Sequence, residues 1–185
     1  MPFQRKSARK DREPLDEPAL YEYAVRTLGR KMRTVAELSR LLRTRVEPDE
    51  AGEAKVQAIL ARLKEQNYLD DARYAADYTR MRQENQRFGQ RRVQQELNRR
   101  GVQSETVNET VTAAYAELPE PELVRKYIER KRLRQPTNDK ESARIVRNLI
   151  RAGFSMRAIY AVLKAWNVPE ETLAAIPESE PEEER

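Results

Sequence analysis

Neither cysteine nor histidine occurs anywhere in the 185 residues. The first absence removes disulfides, thiolate nucleophiles and cysteine-held zinc or iron–sulfur clusters. The second removes the usual general base near neutral pH and the commonest metal ligand. Glycine is scarce, at five residues, which disfavours a β-rich or loop-rich fold. No GxxxxGK[ST] or GxGxxG occurs, so no recognisable phosphate cradle is present. No run approaches the ~20 apolar residues that span a bilayer. The start, Met1 to Lys6, is followed by no apolar stretch of the kind a secretory signal carries. The expectation is a soluble, cytoplasmic chain without membrane contact.

What is present is charge. Charged residues make up 36% and apolar residues 38%, a ratio that suits small helical units, each burying one narrow stripe. Residues 169–185 carry seven glutamates against Arg185, a net of −6, and residues 1–18 carry a net of +1. Taking both out of the chain's +5 leaves +10 on residues 19–168. A body so basic attracts polyanions or an acidic protein surface.

Proline and turn residues punctuate the chain at Pro48-Asp49, Pro119-Glu120-Pro121 and Pro136 to Asp139. Residues 1–18 hold three prolines, dense charge and little periodicity, and read as a disordered basic arm. Residues 169–185 read as a disordered acidic tail. The expected organisation between them is three helical repeats, 19–69, 70–118 and 119–168.

The repeat has a period of about 50 residues. Val93, Leu97, Gly101, Val102, Val107 and Val111 match Ile145, Leu149, Gly153, Phe154, Ile159 and Leu163 at a constant offset of 52. The first repeat aligns more loosely through Leu38, Leu42 and Val46, without the glycine. Tyr74, Tyr78 and Met81 predict one face of a first helix in the middle repeat. Val93 and Leu97 predict the stripe of a second, closed by Gly101 as a left-handed cap. Ser104 is expected to cap a third helix carrying Val107 and Val111. In the first repeat, Val56, Ile59, Leu60 and Leu63 form a clear amphipathic stripe. The fold class expected is all-α: three tandem three-helix repeats in an elongated, curved array.

The most conspicuous acids, Asp70-Asp71, precede a helix start and read as capping and dipole-complementing groups rather than metal ligands. A metal-dependent nuclease would need such a pair but is the weakest reading. No catalytic residue, metal or cofactor is expected.

The basic residues are better ordered. Successive helix residues advance about 100°, so turning Val93 and Leu97 inward sets Arg91, Arg92, Gln95, Asn98 and Arg99 outward. Arg80, Arg82 and Arg87 lie just upstream and Arg100 beside the turn. The third repeat adds Arg125, Lys126, Arg130, Lys131, Arg132 and Arg134. Such side chains suit contacts with carboxylates, phosphates or base edges.

The segment Leu69-Asp70-Asp71-Ala72-Arg73-Tyr74-Ala75, followed by Arg80, Gly89, Val93, Glu96-Leu97 and Arg100-Gly101-Val102, resembles the signature of the RecX family. The resemblance implies three tandem three-helix repeats and regulation of the RecA recombinase. It implies binding in the groove of the RecA–DNA filament, with suppression of ATP hydrolysis, strand exchange and co-protease activity. Single- or double-stranded DNA is a further implied partner, and the chain is expected to be a monomer. The competing reading is a stand-alone helix-turn-helix regulator of DNA over Val93–Ala114. The helix after Gly101, with Glu105 and Glu109 and no arginine, makes a poor face for a major groove.

Overall fold

A computed structural model describes residues 13–166, and every regular element among them is helical. The expected acidic tail, 169–185, and residues 1–12 of the expected arm lie outside the described residues. Two units are distinguished, divided at Asp70.

The first unit holds α1 (Glu17–Arg30), α2 (Val35–Arg43) and α3 (Glu50–Glu65). Each start is set by a short polar side chain that accepts from an otherwise unpaired N–H. Asp16 accepts from Ala19 at 3.0 Å, Thr34 from Glu37 at 3.0 Å and Asp49 from Gly52 at 2.7 Å. Leu20, Ala24, Leu38, Leu42, Val56, Ile59, Leu60, Leu63 and Leu69 form its core. The four residues of the predicted α3 stripe are all buried.

The arm boundary needs correcting here. Helix α1 begins at Glu17, Asp16 caps it, and Leu15 packs on the core. Pro18, one of the three prolines counted toward the arm, sits in the first turn, where proline's missing N–H costs nothing.

The second unit holds two three-helix repeats on one core. The first comprises α4 (Asp71–Met81), α5 (Gln90–Arg99) and α6 (Ser104–Tyr115). The second comprises α7 (Glu120–Lys131), α8 (Asp139–Arg151) and α9 (Met156–Leu163). All five apolar pairs of the 52-residue offset are buried in that core. At ~1.5–3 kcal/mol for each large side chain, their burial is a main stabilising contribution to the unit. The glycine pair has one physical cause. Gly101 and Gly153 both adopt positive φ, +83° and +92°, directly after the second helix of their repeats. The first repeat has no positive-φ residue after α2, which is why it can lack the glycine.

Two local expectations change. Met81 is 42% exposed rather than on the core face. The buried residues of α4 are Tyr74, Ala75, Tyr78 and Thr79, and at 100° per residue Met81 lies roughly 90° from their mean direction. Ser104 does not cap α6; it is the first helical residue, Gln103 precedes it, and no side chain caps that start.

Between α4 and α5 the chain forms a π-helical segment, Arg82–Gln86, that ends at Arg87 in the left-handed region (φ +57°). Gly89 then opens α5. Its N–H donates to the Ala152 carbonyl at 2.8 Å, joining α5 to the α8–α9 turn.

Candidate functional site

The predicted basic residues separate into two groups. Arg91, Gln95, Asn98 and Arg99 are exposed along α5, as the 100° geometry requires. Arg125, Lys126, Arg130 and Lys131 are exposed along α7, and Arg132 caps it at φ +51°. Arg80 is exposed and pairs with Asp77 at 2.8 Å.

Arg82 and Arg92 are instead drawn inward to Glu96, whose side chain is only 13% exposed. The Nε atoms of Arg82 and Arg92 each stand 2.9 Å from a different Glu96 oxygen. The Arg92 contact is a hydrogen bond; the Arg82 Nε contact is an ion pair without that alignment. The Tyr78 hydroxyl donates to Glu96 at 2.6 Å and accepts from Arg82 at 2.6 Å. Arg82 and Arg100 also lie over the Tyr78 ring, at 4.8 and 5.0 Å from its centroid. Arg82 and Arg92 flank the Phe88 ring at 5.8 and 5.7 Å. Arg87, half-buried, reaches back to the Gln83 carbonyl.

Burial would raise the Glu96 carboxyl, but the Tyr78 and Arg92 hydrogen bonds and the Arg82 and Arg92 charges outweigh it, leaving it below the usual range. Glu96 is therefore a hub that fastens the π segment to α5. Sequence reasoning missed it, although Arg92 and Glu96 stand at i, i+4, the spacing of helical ion pairs.

The third repeat repeats the geometry with different chemistry. The residue 52 beyond Glu96 is Asn148. It again receives a tyrosine hydroxyl from its repeat's first helix: Tyr127 donates to Asn148 Oδ1 at 2.9 Å. Asparagine carries no charge, so this position neutralises no arginine. Burial pushes the Tyr127 phenol up, while the positive charges of Arg151, Arg92 and Arg130 act against it. The charges of three arginines, from α8, α5 and α7, thus act on one hydroxyl. Tyr127 also packs edge-on against Phe154 at 5.6 Å and obliquely against Phe88 at 6.4 Å.

Arg144, Arg147 and Arg151 on α8 were absent from the sequence expectation. All three are exposed, one stripe at i, i+3 and i+7. The signal was available: they stand 52 residues beyond Arg92, Gln95 and Arg99.

The net charge is unevenly distributed along the described residues. Residues 13–70 sum to −1, 71–118 to +1 and 119–166 to +7. The acids of the last segment are partly engaged at helix starts. Glu120 accepts from the Ser155 N–H at 2.7 Å and from its hydroxyl at 2.5 Å. Glu141 accepts from the Thr137 N–H and hydroxyl. Among the described residues, no cluster of three or more acids is placed to hold a metal ion. No described helix is long and apolar enough to cross a membrane.

The family profile described as the second three-helix domain of RecX matches residues 70–111. The regulatory protein RecX of Thermus thermophilus is 34% identical over 149 residues, covering 80% of this chain and 91% of that protein. The regulatory protein RecX of Leptothrix cholodnii is 33% identical over 143 residues, 76% of this chain and 85% of that one. A crystal structure of regulatory protein RecX superposes with a TM-score of 0.66 at 23% identity, over 80% of this chain and 71% of its own. RecX from Lactobacillus salivarius superposes at 0.63 and 18% identity, over 82% and 96%. At those identities the two structures speak for the fold alone.

Proposed function

The chain belongs to the RecX family of regulatory proteins, and from that premise we propose that it is a non-catalytic regulator of the RecA recombinase. It binds the groove of the RecA–DNA filament through the basic surface of its second and third repeats. A ligand spanning neighbouring protomers fixes their relative placement and obstructs incoming duplex. ATP hydrolysis, strand exchange and co-protease activity fall together as a result.

The observation that carries this reading is the charge distribution. The basic excess lies in residues 119–166, and Arg91, Arg125, Lys126, Arg130, Arg144, Arg147 and Arg151 are exposed there and along α5. Such a surface suits a polyanionic or acidic partner. The lack of histidine and cysteine supports a role without catalysis. The stand-alone helix-turn-helix reading is disfavoured because α6 exposes Glu105 and Glu109 and no arginine.

The test is RecA's DNA-dependent ATPase with the full chain added at up to equimolar ratio. Inhibition is expected, weakened by replacing Arg144, Arg147 and Arg151 with alanine. Undiminished ATPase at saturating protein, with no co-sedimentation on RecA filaments, would refute it.

A further inference from the structure

The third repeat carries twelve basic residues in 119–166 against five acids. Two of those acids, Glu120 and Glu141, are committed to Ser155 and Thr137. Its hub position holds Asn148 where the preceding repeat holds Glu96. The surplus is therefore not compensated within the repeat as it is in residues 71–118.

The compensating charge lies in the same chain, just beyond the last described residue. Residues 169–185 carry seven glutamates and a net of −6, close in size to the +7 of the repeat. The last described residue before this segment is held in place. Trp166 packs against the core of the second unit, and its carbonyl accepts from Gln135 Nε2 at 2.9 Å. Gln135 lies in the α7–α8 loop, directly after Arg132 and Arg134, both exposed. The last described residue is thus bonded to the loop that carries Arg132 and Arg134.

Reach is not limiting. Glu170 is four residues past Trp166, up to ~14 Å at 3.3–3.6 Å per residue. Glu178 to Glu184 reach roughly 40–60 Å, beyond the ~20 Å length of α8. Tethering holds the local concentration of these carboxylates near the millimolar range.

We propose that the acidic segment 169–185 docks on the basic surface of its own third repeat, around Arg130, Lys131, Arg132 and Arg134, and competes there with external polyanions. The proposal rests on the preceding reading for what the surface binds, but the intramolecular contact stands by itself. Such pairs are solvent-exposed and individually weak, so the docked state is released by salt and displaced by a denser polyanion.

The decisive experiment is zero-length carbodiimide cross-linking of the full chain at low concentration, read by mass spectrometry. The reagent joins a lysine amine to a carboxyl with loss of water. Links from Lys126 or Lys131 to Glu170, Glu171 or the Glu178–Glu184 run are expected, and they disappear at about 1 M salt, where screening falls to ~3 Å. No such links, or links only between isotopically distinct copies, would overturn the proposal, the latter naming a second copy as the occupant.

A second readout uses a full-length variant with the seven glutamates changed to glutamine. A labelled thymidine oligonucleotide should bind it about tenfold more tightly at ~50 mM salt, with the gap closing as salt rises. Equal affinity at low salt overturns the competition. Binding by neither form counts against the surface reading, while the cross-links still decide the contact.

Discussion

Gly153→Ala should be among the most damaging single-atom-scale changes in the second unit. Gly153 sits at φ +92°, where an L side chain costs about 1–2 kcal/mol. Space is the larger problem. A Cβ there would fall 2.3 Å from the Arg92 amide nitrogen and 2.5 Å from the Arg92 Cβ. Those atoms belong to the start of α5, so relief requires moving a helix rather than a flexible side-chain end. Overpacking of this kind costs about 1–3 kcal/mol, and the shift also strains the Gly89–Ala152 hydrogen bond. The expected total is roughly 2–5 kcal/mol. Gly101→Ala supplies the control. It has the same kind of backbone, φ +83°, but is exposed, so about 1–2 kcal/mol is expected. Urea unfolding followed by tryptophan fluorescence suits the comparison, since Trp166 is the sole tryptophan and packs on this unit's core. Equal losses for the two substitutions would refute the close approach of α5 to the α8–α9 turn.

Glu96→Gln removes the charge that holds Arg82 and Arg92 while keeping the side chain's shape. Discounted for partial exposure, the loss should be about 1–3 kcal/mol by denaturant unfolding, and no loss would dismiss the hub. The same group makes stability pH-dependent. Its folded pKa lies below the usual range, with Tyr78, Arg82 and Arg92 around it and Tyr115 feeling its charge. Its contribution is therefore complete above the unfolded value of about 4.3 and lost as pH falls through that value toward the lower folded one. Glu96→Gln should flatten that part of the stability–pH curve relative to the parent. Ser155→Ala removes the α9 cap and the hydroxyl donor to Glu120, for about 1–2 kcal/mol in the same unfolding assay.

The repeat was legible because its markers are local and periodic. The 52-residue offset needed only buried apolar residues and two glycines forced by left-handed backbone. The α3 stripe was equally plain. The π segment was not legible, because Arg82 to Gln86 looks like ordinary polar helix, and its wider turn is held by contacts from Tyr78 and Glu96. Nor was the Gly89–Gly153 approach, which joins residues 64 positions apart that are bare backbone. Arginine placement was half legible. Angular position alone separates exposed Arg91 and Arg99 from the core, but it cannot tell an outward arginine from one recruited by a neighbouring carboxylate.

That last distinction explains where the basic surface ends up. Arg92 and Arg144 occupy the same register of successive repeats. The residue one turn later is Glu96 in the first case and Asn148 in the second, and each takes a tyrosine hydroxyl. The scaffold keeps the hydrogen bond in both. Only the carboxylate turns its arginines inward, so Arg92 is spent on holding the fold while Arg144 stays exposed. On this argument Asn148→Glu should draw arginines of the third repeat onto itself. Arg144 at i−4 and Arg151 at i+3 are within helical pairing distance. Filament binding should then weaken while the unit's unfolding midpoint holds or rises. A variant that bound RecA filaments as the parent does would show that the third repeat's exposed arginines are not the working surface.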